Sequence, residues 1–257
     1  MRITGRLGGR QVCPVTAGSR SVRIQGLVAE QAARRGARVS VVDVCAAAVA
    51  ALPVGGAGVS AMSRTTPSHP LCSTDAISEQ LEELQLTFGE GPCVDAFALG
   101  CAVLTLDVRA DDVHIRWPAF APAAAKAGAW AVFAFPLQLG AISPGVLDLY
   151  ATAPGGLDTE ELADALAFAD TATLLLLGSG SEGPHVGGLE DLGGYRAEID
   201  QATGMLTEQL GIGIEEAFVR LRAHAYAHGR RLADVAADLV ARRLRFPTDP
   251  DHSDDAT

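Results

Sequence analysis

Lysine is almost missing from this 257-residue chain: Lys126 is the single one, beside nineteen arginines. That imbalance reads as the composition of a G+C-rich genome and carries no functional signal. Paired cysteine motifs are missing too. Cys13, Cys45, Cys72, Cys93 and Cys101 are scattered, odd in number and without a Cys-x-x-Cys pair, which excludes a disulfide framework and points to reduced thiols in or near a core. No window approaches the uninterrupted run of about 18 apolar residues that a membrane span needs. The first twenty residues carry arginines but no apolar centre, so no secretory leader is expected and the protein is expected in the cytoplasm.

Nucleotide and catalytic motifs are equally scarce. "GGAGVSA" (55–61) has a Gly-x-Gly-x-x-Ala spacing, but it follows an Ala-rich helix and opens no helix, so it reads as a turn into a strand rather than a dinucleotide loop. "GEGP" (89–92) lacks the Lys-Ser/Thr of a phosphate loop. No Ser/His/Asp or Cys/His arrangement stands out, and no carboxylate pair is spaced for acid–base work, so no enzyme is expected. His224 and His228 have a metal-compatible i, i+4 spacing without a third ligand; no metal is expected there.

What is present is an abundant core and an uneven charge. Hydrophobic residues make up 48% of the chain, enough for a large interior, and the net charge is −11. Residues 1–23 carry +5, residues 24–178 carry −10, and residues 179–194 carry −3. Residues 195–246 carry +1 and residues 247–257 carry −4. Acidic segments repel phosphate, so a nucleic acid has to meet either the basic arm or residues 195–246.

Periodicity divides the chain accordingly. A basic arm (1–23), expected to be disordered, precedes helices over 24–36 and 39–52. Two short strands (58–63, 68–75) follow, then a helix capped by Asp75 with Ile77, Leu81, Leu84 and Phe88 on one face. A "GEGPC" loop (89–93), a strand (102–108), a helix (117–128) and a hairpin of strands (129–139, 145–152) come next. The helix over 157–177 is capped by Asp158 or Thr159, with Leu162, Ala165, Leu166, Ala169 and Thr173 as its stripe. The fold class is α+β, an antiparallel sheet flanked by helices, over residues 24–178.

Seven glycines in residues 178–194 mark a flexible linker. Residues 195–246 then read as a three-helix bundle with stripes Ile199/Ala202/Leu206/Leu210, Ala217/Phe218/Leu221/Ala225 and Leu232/Val235/Ala236/Leu239/Val240. Gly211 and Gly229 end helices there. The acidic tail 247–257 is expected to be disordered. Arg220, Arg222, Arg230, Arg231, Arg242, Arg243 and Arg245 project from polar faces, either as solvated ion pairs or as a phosphate-binding surface. Cys93, a loop thiol near a helix start, is the candidate sensing residue, reactive if its pKa is depressed and otherwise a small packed side chain.

Two stretches resemble known families. "LQLTFGEGPCVDA" (84–96), "RWPAF" (116–120) and "FAFPLQLGAISPGVLDLY" (133–150) resemble the GAF sensory domains of actinobacterial regulators. "QATGML" (201–206), "EEAFVRLRAHA" (215–225) and "LADVAADLVARRL" (232–244) resemble the ANTAR domain, a three-helix RNA-binding module of transcription antiterminators. The resemblance implies a dimeric regulator that binds paired hairpin loops in nascent RNA under control of a small-molecule or protein signal whose identity, like any cofactor, is unknown. It also implies the contact residues. Ala202, Gly204 and Ala217 would let helices or a base approach, Arg220, Arg222, Arg230 and Arg231 would meet phosphate, and His224 would stack. Thr203 stands where many members have lysine, so a hydroxyl replaces a cation. The other classes left open are a DNA-binding regulator, a protein-interacting regulator and a Cys93-based redox sensor.

Overall fold

A computed structural model describes residues 17–63, 69–178 and 190–247, with side chains of the last segment described from Ala197 onward. Its first part is a five-stranded antiparallel sheet with helices on both faces. The strands are β1 (Gly56–Ala61), β2 (His69–Ser73), β3 (Val103–Thr105), β4 (Ala131–Leu139) and β5 (Ile142–Ala151), in the order β2-β1-β5-β4-β3. Strand alternation sorts their side chains. Ala57, Val59, Phe133, Phe135, Leu147 and Leu149 join one core with helices α1 (Ala17–Arg35), α2 (Val41–Ala51) and α7 (Thr159–Gly178). Val132, Ala134, Val146 and Tyr150 join the opposite core with α3 (Ala76–Phe88), α4 (Pro92–Leu99) and α6 (Phe120–Ala127). The α+β architecture expected from periodicity is therefore present.

Capping fixes where the helices start. The Asp75 carboxylate accepts the backbone N–H of Ile77 and Ser78, both at 2.8 Å, and Asp158 does the same for Glu160 and Glu161 at the head of α7. The "GEGPC" segment is more structured than a loop. Gly89 ends α3 in the left-handed region, and Pro92 opens α4 two residues after Glu90. The Glu90 carboxylate accepts two backbone N–H groups, from Ala119 and Phe120, at 2.7 and 2.8 Å. A further short helix, α5 (Asp111–Arg116), has no counterpart in the periodicity. On α7 the expected stripe lies inside except for Leu166, which is 45% exposed; Phe168 and Ala172 are buried beside it, and Leu174 is 53% exposed.

The basic arm is shorter than expected. Residues 17–23 already belong to α1, where Arg20 pairs with Glu160 and Asp164 and Arg23 pairs with Asp164. These partners lie about 140 positions away, beyond the reach of any local charge pattern. The rest of the arm (1–16), residues 179–189 of the linker and residues 248–257 of the tail lie outside the described residues.

The second part consists of α8 (Glu190–Leu210), α9 (Ile214–Ala227) and α10 (Leu232–Val240). α8 thus begins inside the stretch expected as linker. All three apolar stripes meet in one core, with Leu210, Phe218 and Val240 at its margin. Leu86 of α3 is buried in that same core, so the bundle is closed by a residue from the sheet domain.

Candidate nucleic-acid interface

Helix periodicity gives α9 two polar faces, because residues 220 and 222 are two positions apart, about 200° around a helix. Arg220, His224 and His228 lie on one of them. Arg220 pairs with Glu216 at 3.0 Å. His224 stacks on His228 with ring centroids 4.0 Å apart and stands 4.9 Å from Phe246. Burial, then the neighbouring His228 and Arg230, holds His224 below its ordinary pKa and favours the neutral, stacking form.

The other face of α9 is turned to α3. Arg222 Nε donates to the Thr87 carbonyl at 3.1 Å, and burial pulls its pKa below the usual arginine value. Tyr226 meets Phe88 edge to face, with centroids 5.3 Å apart. Just beyond α9, Arg231 pairs with Glu83 at 2.6 Å and with Glu79 at 3.3 Å, and Glu83 also accepts the Leu232 N–H at 3.1 Å. The two members of the Arg231–Glu83 pair respond differently. Burial outweighs the arginine at the enclosed Glu83 and raises its pKa, whereas the hydrogen bond dominates at the more exposed Arg231 and raises that one too. A cleft of about 540 Å³ runs along this seam, edged by Glu79, Glu83, Phe88, Tyr226, Arg230 and Arg231.

The residues expected to contact RNA are therefore dispersed. Ala202 and Thr203 lie inside the bundle, and the Thr203 hydroxyl donates to the Ile199 carbonyl at 2.7 Å. Buried there, Thr203 does not stand in for a surface lysine. Gly204 is half-buried with open space over its Cα. Arg222 and Arg231 come together, but on α3. Arg230 is held by Asp238 at 2.6 Å and by the Asp234 carbonyl at 3.2 Å. Charge counting missed Arg242 and Arg245 as distinct from the rest: both are exposed, and neither is ion-paired among the described residues. Their place past the end of α10 was the available signal.

Residues 194–240 match the ANTAR domain family. The ANTAR-matching segment takes in nearly all of α8, all of α9 and all of α10, and so coincides with the bundle. No curated protein matches the chain. Solved structures with some likeness include a GAF domain from a phosphoenolpyruvate-protein phosphotransferase of Coxiella burnetii, at 15% identity, covering 63% of this chain and 98% of that one with a TM-score of 0.49. The corresponding GAF domain from Acinetobacter shares 12% identity over 63% and 95%, with a TM-score of 0.47. A free methionine-R-sulfoxide reductase from Neisseria meningitidis shares 17% over 65% and 92%, with a TM-score of 0.44. The α+β assignment rests on sheet order and helix placement, independently of these likenesses. Among the described residues no helix is long and apolar enough to cross a membrane.

Proposed function

We propose that the chain is a signal-responsive RNA-binding regulator, a transcription antiterminator in which α8–α10 take paired hairpin loops of a nascent transcript. The α+β domain is its sensor and controls how much of the bundle is available. The match of residues 194–240 to the ANTAR domain carries this reading. The contacts of Arg222 and Arg231 with α3 support the control step, because these guanidinium groups serve Thr87, Glu79 and Glu83 and are withheld from phosphate. Arg220, Arg242 and Arg245 remain at the surface as the first points of encounter. A homodimer would present two bundles to two loops, and α1 with α7 supplies the surface between copies. DNA is the weaker partner, since no helix of the bundle gathers cations and polar base-readers at its N-terminal end. The Cys93 redox reading loses its premise: burial, then Asp148 and Glu82, pushes that thiol well above the ordinary range rather than below it.

The test is titration of the protein into a fluorescent RNA bearing two adjacent small-loop hairpins, with duplex DNA of equal length as competitor. Binding should survive the DNA, and Arg220→Ala should weaken it by roughly 5- to 30-fold, the loss of one charge-assisted phosphate contact. Glu83→Gln, which frees Arg231, should strengthen it. Indifference to looped RNA in both the parent and Glu83→Gln would sink the reading.

A further inference from the structure

Beneath α3, on the sheet face opposite α7, two carboxylates and a thiol converge with no cationic side chain paired to them among the described residues. Gly58 of β1 stands opposite Asp148 of β5 in the antiparallel register, and alternation directs both toward α3 and α4. Glu82 reaches down from α3 and Cys93 from the first turn of α4. Glu82, Cys93 and Asp148 are 3%, 2% and 4% exposed. One donor atom from each lies within 4.8 Å of the others, and Met62 brings its Sδ to 3.5 Å from Cys93 Sγ.

Several independent features indicate that the cluster is built to receive something. Asp148 Oδ1 is buried and has no hydrogen-bond partner, and Oδ2 takes a long contact of 3.5 Å from Gln85, with Glu82 and Cys93 beside the carboxylate. Gly58 lets Glu82 lie directly against β1: a Cβ there would stand 2.5 Å from Glu82 Oε1. Ser60 orients the other oxygen of Glu82 by donating its hydroxyl, and Gln85 accepts the Cys93 N–H at 2.7 Å. Neither carboxylate is ion-paired among the described residues, although Arg and Asp/Glu pair throughout the rest of the fold. The surroundings are apolar, with Ala96, Val132, Ala134 and Val146 in the same core.

We propose that Glu82, Cys93 and Asp148 form a site for a divalent transition-metal ion of Zn²⁺ type, with the Met62 thioether beside the thiolate. The donor chemistry selects the ion. A tetrahedral Zn²⁺ has bonds of about 2.0–2.3 Å, which puts its ligand atoms about 3.5 Å apart, a modest contraction of this cluster. Ca²⁺ and Mg²⁺ demand six or more oxygen donors and reject sulfur, while Cu⁺ favours an all-sulfur shell. Uptake is a proton exchange and not a redox step. The metal bonds to Cys93 Sγ and to one oxygen each of Glu82 and Asp148, and the thiol proton, with any proton held by the carboxylates, leaves to solvent. This inference stands apart from the RNA reading, since every measurement below is made without RNA.

Full-length protein is incubated with Zn²⁺, desalted and analysed by elemental mass spectrometry, and a parallel sample receives Co²⁺. The parent should retain about one equivalent, and its Co²⁺ form should absorb in the near ultraviolet through a thiolate charge-transfer band. Cys93→Ser should abolish that band, and Asp148→Asn should cut retained metal at least about tenfold. Asp148→Asn keeps the shape and removes the repulsion, so the metal-free variant should melt no lower than metal-free parent, which separates loss of metal from loss of fold. Metal that fails to stay with the parent, or that stays equally with Cys93→Ser, would overturn the site.

Discussion

At Gly89 the backbone turns through a φ of 66°, and a Cβ there would stand 1.6 Å from Arg222 Nη2. One missing side chain thus both ends α3 and admits the guanidinium that reaches Thr87. Gly36 is its natural control, with a φ of 68° at the end of α1 and nothing within 4 Å. Gly36→Ala should cost about 1 kcal/mol from backbone strain alone. Gly89→Ala should add to that the expulsion of Arg222, seen as faster amide exchange in α9 than Gly36→Ala produces; equal exchange in the two variants would disprove the role. A second residue-scale prediction concerns Asp43, buried in α2. Burial by itself raises its pKa, but hydrogen bonds from Arg35 at 2.7 and 3.0 Å and from Ser40 win and hold it below 3.8. A depressed carboxylate contributes stability that is complete above its unfolded pKa and is lost as pH falls through the folded one. Arg35→Ala should therefore destabilise the protein by about 2 kcal/mol at pH 7. The gap to the parent should close below pH 3.8, as denaturant melts at the two pH values would reveal.

Among the elements, α3 is the one whose sequence says least about its position. Its apolar stripe, Ile77, Leu81, Leu84 and Phe88, is legible and packs as expected against α6 and the sheet. The residues between those look like an exposed polar face, yet Glu82, Glu83, Gln85 and Thr87 are buried as well. Each is buried by another element: β5 and the neighbouring α4 on one side, α9 and α10, far off in the chain, on the other. Periodicity reports which side of a helix avoids water, but not when a polar side is covered by partners that satisfy it. For the same reason the bundle was legible down to its stripes and its two terminal glycines, while the destination of Arg222 and Arg231 was not. Glu82, Cys93 and Asp148 were beyond sequence altogether, because nothing short of the β1–β5 register and the placement of two helices brings them together. The thiols of Cys45 and Cys72, 2.9 Å apart across α2 and β2, likewise read as scattered along the chain.

For the whole molecule, the distribution of apolar surface bears on the proposed dimer. Leu166 and Leu174 lie two turns apart on α7, both about half exposed, with Val22 of α1 more exposed still. A charge on the exposed face of α7 should oppose burial against a second copy. Leu174→Glu is expected to halve the mass found by sedimentation while leaving the circular dichroism unchanged, and a monomeric parent would remove the proposed dimer. The other molecular-scale feature is that α3 is a party wall. Glu82 and Glu83 are consecutive residues, about 100° apart around the helix axis, and they look into different rooms: one onto the buried thiol and Asp148, the other onto Arg231. No chain of intermediaries is needed between what happens under the sheet and what happens at the bundle. A few degrees of roll in a single rigid rod would move both handholds at once.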